Sequence, residues 1–136
     1  GRSVVVSGDL IMAASPVFPV LAEGADLIVA EALQPRLVRQ ITERARVIER
    51  EDLAVITVDI LDYHTTPQSA AQAAAQAGAD ALVLTHIVPA LPSQVLHPAF
   101  LGDARGLFSG PLRIAEDGTV AILPAYSDTV RFEDWL

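Results

Sequence analysis

From Tyr63 to Pro92 the chain reads YHTTPQSAAQAAAQAGADALVLTHIVPALP, and this stretch leaves little choice of local structure. Thr66 is placed to cap a helix, and Pro67 follows at the helical position where a missing N–H costs nothing. The alanine-rich run behind it has high helix propensity. Gly78 is the expected left-handed residue past the helix end. Ala81 to Thr85, centred on Leu82, Val83 and Leu84, then reads as a short strand covered on both faces. A helix leading into such a strand predicts an α/β chain. His64 falls just before the helix, and His86 falls just past the strand's carboxyl end, the edge where open α/β sheets bind ligands. A lone histidine at a strand end is most often a plain polar loop residue, so position alone leaves the role of His86 open.

Other segments repeat the pattern. Val4 to Val6 are three β-branched residues, a compact strand, ended by Ser7, Gly8 and Asp9. Asp9 is thus a second ionisable group at a strand end, although Gly-Asp is also a common turn pair. Ser15-Pro16 opens a short helix that stops near Gly24. Asp26 to Ala30 reads as a second buried strand with Glu31 directly after it. From Pro35, Leu37, Ile41, Ala45 and Ile48 recur at helical spacing, with Arg36, Arg39, Glu43 and Arg44 on other faces. Leu53 to Leu61 fits either a helical stripe or a strand, and its run into the Asp62-Tyr63-His64 turn favours the helix. Three prolines between Ile87 and Phe100 predict an irregular loop, with His97 an ordinary member of it. Asp117-Gly118 between Leu112–Ala115 and Thr119–Leu123 predicts a β-hairpin. The polar tail from Ala125 carries Phe132 and Trp135, which are expected to dock on the body or on a neighbour.

Several classes are excluded or disfavoured. The chain has no cysteine, so disulfides and thiolate zinc sites are absent. No apolar run reaches transmembrane length, and a membrane partner is not expected. A formal net charge of −8 argues against sequence-independent binding of nucleic acid, which needs clustered Lys and Arg. No signal peptide is visible, yet the chain also lacks an initiating Met. The expectation is that either the start is processed or upstream residues are missing, which leaves the compartment open with the cytoplasm slightly favoured.

If the strands before Asp9, Glu31 and His86 are neighbours, all three residues meet at one sheet edge, and His64 reaches the same edge. Two carboxylates and two imidazoles there form a plausible but incomplete metal site. The series SGD, ADLIVAEA, DYHTTPQSAAQAAAQAGADALVLTHIVP and FSGPLRIAEDG resembles the C-terminal half of a metallo-β-lactamase-fold hydrolase. It is most similar to the branch with ribonuclease Z and arylsulfatase- or phosphodiesterase-like enzymes. The resemblance implies the second half of an αββα sandwich. It implies that Asp9 bridges two metals and that His86 is the last histidine ligand of the second. It implies that His64 aids proton transfer to the leaving group, supported by Glu31. The ribonuclease branch has His-Glu-Ala-Thr where this chain has Ala30-Glu31-Ala32-Leu33. The family's His-x-His-x-Asp-His block is absent, so the N-terminal half of the domain is an expected partner. The implied chemistry is two-zinc hydrolysis of a small-molecule ester or phosphodiester by metal-activated water.

Two other readings stay open. One is a non-catalytic α/β binding or assembly module, in which Asp9 and His86 are loop residues and the tail aromatics mark a subunit contact in a homo-oligomer. The other is an upstream half that has lost its own ligands.

Overall fold

The computed structural model describes residues 1–136 throughout. Three β-branched residues make β1 (Val4–Val6), and a mostly apolar run makes β2 (Leu27–Leu33). Between them lies a short helix, α1 (Phe18–Leu21), whose Phe18 N–H donates to Ser15 Oγ. β2 runs three residues beyond the expected end at Ala30, because Leu33 N–H still finds Thr65 O, at 2.8 Å. Glu31 therefore sits inside a strand rather than after one.

Two helices follow, α2 (Pro35–Val47) and α3 (Glu51–Asp59). The helix reading of the ambiguous 53–61 segment is correct. The buried stripe of α2 is Val38, Thr42 and Ala45, whereas Ile48 is largely exposed at the helix end. The inward face is rotated by one residue from the expected stripe because a hydroxyl pair lies in the joint. Thr42 Oγ1 donates to Thr57 Oγ1 of α3 across 2.8 Å, both residues being buried.

Helix α4 (Pro67–Ala77) has the predicted caps. Thr66 Oγ1 accepts from Ser69 N–H at 3.1 Å, and Gly78 takes φ +64°. Six of its residues are buried, five of them alanines, so its backbone approaches the sheet closely. β3 (Ala81–Val88) follows. The span with three prolines is more regular than expected. It holds a single 3₁₀ turn at Gln94–Leu96 and then α5 (His97–Leu101). Proline is tolerated in the first turn of a helix, and Pro98 sits there. After α6 (Ala104–Leu107) comes β4 (Leu112–Ile114).

The four strands form one parallel sheet in the order β1-β2-β3-β4. One face carries Ile28, Ala30, Leu82, Leu84, Leu112 and Ile114, packed with α4, Phe18, Phe100 and Leu101 in the main core. The other face carries Leu27, Ala81 and Val83. It is covered by an antiparallel pair, β5 (Thr119–Ile122) with β6 (Arg131–Asp134).

That pair is the C-terminal β-hairpin, but it is not the one the Asp-Gly signal predicts. Asp117-Gly118 does make a tight turn, with Thr119 N–H on Glu116 O at 2.9 Å. The strands on either side then part: β4 pairs with β3, and β5 pairs with β6. Leu112 and Ile114 bury themselves in the main core, and the apolar burial in the parallel sheet outweighs a local hairpin. Of the tail aromatics, Phe132 packs on the second face, while Trp135 is 70% exposed.

Candidate active site

The parallel order of β1, β2 and β3 brings Asp9, Glu31, His64 and His86 to one edge of the sheet. Gly8, at φ +58°, turns the chain off β1 and presents Asp9. Its carboxylate Oδ1 lies 3.4 Å from His86 Nδ1, and both side chains are exposed. His86 is not beyond β3, as expected, but within it. Glu31 pairs with Thr85 and Ala32 pairs with Ile87, so His86 has no partner on β2. It is the extra residue of a β-bulge and takes φ +44°. Bulges re-aim side chains and occur beside active sites. A positive φ at a non-glycine residue stores backbone strain, on the order of 1 kcal/mol.

His64 and Glu31 make a tighter, drier pair. Their Nδ1 and Oε2 atoms lie 2.5 Å apart, with side chains 10% and 2% exposed. The other oxygen of Glu31 accepts Thr65 N–H at 2.8 Å. With Nδ1 committed, the second ring nitrogen of His64 is left for chemistry. The His64 and His86 rings stand edge to face, with centroids 5.6 Å apart. Tyr63 stacks at a tilt on His64, and its hydroxyl donates to Asp59 at 3.1 Å. Burial and the bond to Asp59 push its pKa up, so Tyr63 stays protonated at neutral pH.

Thr65 ties these loops together, and nothing in the local sequence marks it for that task. Its hydroxyl accepts Met12 N–H at 2.8 Å and donates to Leu10 O at 2.5 Å. Its amide holds Glu31 and its carbonyl holds Leu33. One fully buried residue thus fixes the Asp9 loop relative to the His64 loop. His97, expected to be an ordinary loop residue, is instead the first residue of α5 and lies 3.4 Å from Glu116 Oε1.

Donor atoms of Glu31, His64 and His86 lie within 4.8 Å of one another, a spacing that could hold a cation. Both Glu31 oxygens, however, are already hydrogen-bonded within the protein, which suits an orienting role better than ligation. Asp9 and His86 suit ligation better, being adjacent, exposed and of the oxygen and nitrogen types zinc takes. Two donors alone do not hold a metal, so the residues fit one side of a metal centre.

No protein-family model matches the chain. It is 35% identical over 118 residues to a putative ribonuclease Z of Mycobacterium tuberculosis (strain CDC 1551 / Oshkosh), covering 86% of this chain and 46% of that protein. It is 36% identical over 91 residues to ribonuclease Z of Mycobacterium avium (strain 104), covering 67% of this chain and 28% of the relative. Among solved structures it is similar to the metallo-β-lactamase fold protein YhfI of Bacillus subtilis. That superposition has a TM-score of 0.58 at 22% identity and covers 98% of this chain and 41% of YhfI. The chain therefore spans less than half the length of these relatives. Its sheet order, its site edge and these likenesses agree: the chain is a metallo-β-lactamase-fold, ribonuclease Z-like protein.

Proposed function

We propose that this chain is the C-terminal half of a metal-dependent hydrolase, completed by an N-terminal half of the same domain. The observation that carries the reading is the meeting of two His–carboxylate pairs, Asp9–His86 and Glu31–His64, at one sheet edge. Asp9 and His86 would hold a cation, with zinc the expected ion and two ions expected in the whole enzyme. A bound zinc supplies Lewis acidity and lowers the pKa of water to about 7.

The remaining work falls to this chain's own side chains. Glu31 fixes the His64 tautomer by accepting its Nδ1–H and leaves the other nitrogen to pass a proton to the departing oxygen. Thr65 keeps Glu31 from turning away. Burial of the pair keeps water from competing for the Glu31 carboxylate.

An ester or a phosphodiester fits this chemistry. The net charge of −8 does not exclude RNA from the substrate class, and the relatives' name, ribonuclease Z, brings it in. Charge averaged over a chain says little about one face. Arg36, Arg39, Arg44 and Arg46 are all exposed on α2, the helix that leaves the site edge directly after β2.

The test is metal content and turnover of the full-length protein. The expected result is bound zinc and hydrolysis of bis(p-nitrophenyl) phosphate, p-nitrophenyl acetate or an RNA oligonucleotide, abolished by chelator and restored by zinc. A metal-free protein that hydrolyses none of the three would favour the binding-module alternative.

A further inference from the structure

Between Glu31 on β2 and His64 before α4, the chain leaves the sheet edge as a pair of helices, α2 and α3, joined across their buried sides by Thr42 and Thr57. α3 buries Ala54 and Thr57. Its other side carries Val55, Ile56 and Val58, exposed by 61%, 59% and 45%. A helix with apolar residues on every side is normally covered on every side, and neighbouring β-branched residues left in water mark a contact surface.

A surface of matching character stands on the same pair of helices. A groove of about 820 Å³ runs between α2 and the 89–96 segment. Leu37, Ile41 and Ile48 of α2 line one wall, and Pro89, Leu91 and Leu96 line the other.

Charge selects how the two surfaces meet. α2 carries Arg36, Arg39, Arg44 and Arg46 against Glu43 alone, whereas α3 carries Glu51, Asp52 and Asp59 and no base. Two α3 helices side by side would bring like charge together, and α3 beside α2 brings opposite charge together. Within one chain α3 already meets α2 through its buried side, so its exposed side reaches such a groove only on another molecule. The chain that precedes Gly1 enters beside Asp26, at the amino ends of β1 and β2, whereas α2 starts from the carboxyl end of β2.

We propose that the groove takes a second copy of this protein: the Val55, Ile56 and Val58 face of each α3 beds between α2 and the 89–96 segment of the other. The contact is reciprocal, so one twofold axis fills both grooves. The assignment does not depend on the hydrolase reading.

The test follows full-length protein by sedimentation velocity from about 0.1 to about 50 μM. The expected species is a dimer with a Kd of about 10 μM or tighter. Ile56→Glu and Leu96→Glu should each raise that Kd at least about tenfold. Both residues are exposed, so the variants should fold, and circular dichroism checks that they do. The 136 residues contain no cysteine, so Ile56→Cys and Leu96→Cys report on who meets whom. Oxidation should link two copies when both cysteines are present, on one chain or one on each of two mixed chains, and not when either is used alone. Linkage by Ile56→Cys alone puts α3 on α3 and overturns the assignment. A dimer indifferent to both glutamates also overturns it. A monomer at every concentration overturns it too, and gives the exposed face of α3 to the upstream part of the chain.

Discussion

Nδ1 of His64 stands 2.5 Å from Oε2 of Glu31, and the carboxylate is almost wholly shielded from solvent. Neither oxygen of Glu31 is idle, since the other holds Thr65 N–H. Glu31→Gln keeps the shape but replaces one acceptor by a donor, which must face either an N–H of Thr65 or the ring of His64. The expected cost is about 1–3 kcal/mol of unfolding free energy, read from urea unfolding. In the full-length enzyme kcat should also fall at least about 10²-fold, the scale of a lost general acid. Wild-type stability and kcat in this variant would show that the pair neither orients nor supports His64.

Asp9 is exposed and contributes nothing to the core. Asp9→Ala should leave thermal stability of the metal-free protein within about 0.5 kcal/mol. Zinc per full-length protein, read by elemental analysis, should drop by half or more. Unchanged zinc would sink the ligand assignment.

His86 tests strain against function. Asn tolerates the left-handed region better than His does, so His86→Asn should hold or raise the melting temperature, by up to roughly 3 °C. Metal affinity should fall about tenfold or more. A marked loss of stability would mean that the imidazole is there to support the fold.

Thr65→Val removes one hydroxyl and strands two partners, the buried Met12 N–H and the half-buried Leu10 O. Destabilisation of about 2 kcal/mol is expected. Hydrogen exchange at the Met12 amide should quicken more than at Leu82, in the middle of β3. Uniform loss of protection would deny Thr65 its local tying role.

Away from the site, Arg50 makes a two-pronged contact to Asp52, at 2.9 and 2.8 Å. The hydrogen bonds from Arg50 hold the Asp52 pKa at about 2, below the ordinary 3.8. A folded pKa below the unfolded one stabilises above the unfolded value. The contribution is therefore complete above pH 3.8 and is lost as pH falls through about 2. In Arg50→Ala, carboxyl NMR should show Asp52 titrating higher than in the wild type, though still below 3.8 because the Leu53 backbone N–H continues to lower it. An unmoved Asp52 would assign the shift to the backbone instead.

Local chemistry made much of this molecule readable in advance. Thr66, Pro67 and Gly78 act within a turn of their own positions, so the bounds of α4 follow from neighbours in sequence. Short apolar runs likewise announced β1, β2 and β3. What escaped was everything set by distant pairing. Asp117-Gly118 turns as expected, but which strand β4 joins is decided by burial of Leu112 and Ile114 against helices far away in the chain. The bulge at His86 has no residue signature, because it exists only as a mismatch with β2. Thr65 and the His97–Glu116 contact join segments that no short window contains together. The meeting of Asp9 and His86 was legible because Asp9 follows β1 and His86 lies near the end of β3, strands of the same sheet, and their separation of 3.4 Å is a consequence of that order.

On β3 the pairing with β2 lapses for a single residue and resumes at Ile87 opposite Ala32. The imidazole at that lapse is thereby relieved of any duty in the hydrophobic interior, while its neighbours on both sides remain pinned. Drift of the segments beyond Val88 can reshape the mouth of the cleft and leave the position of the ring unaltered.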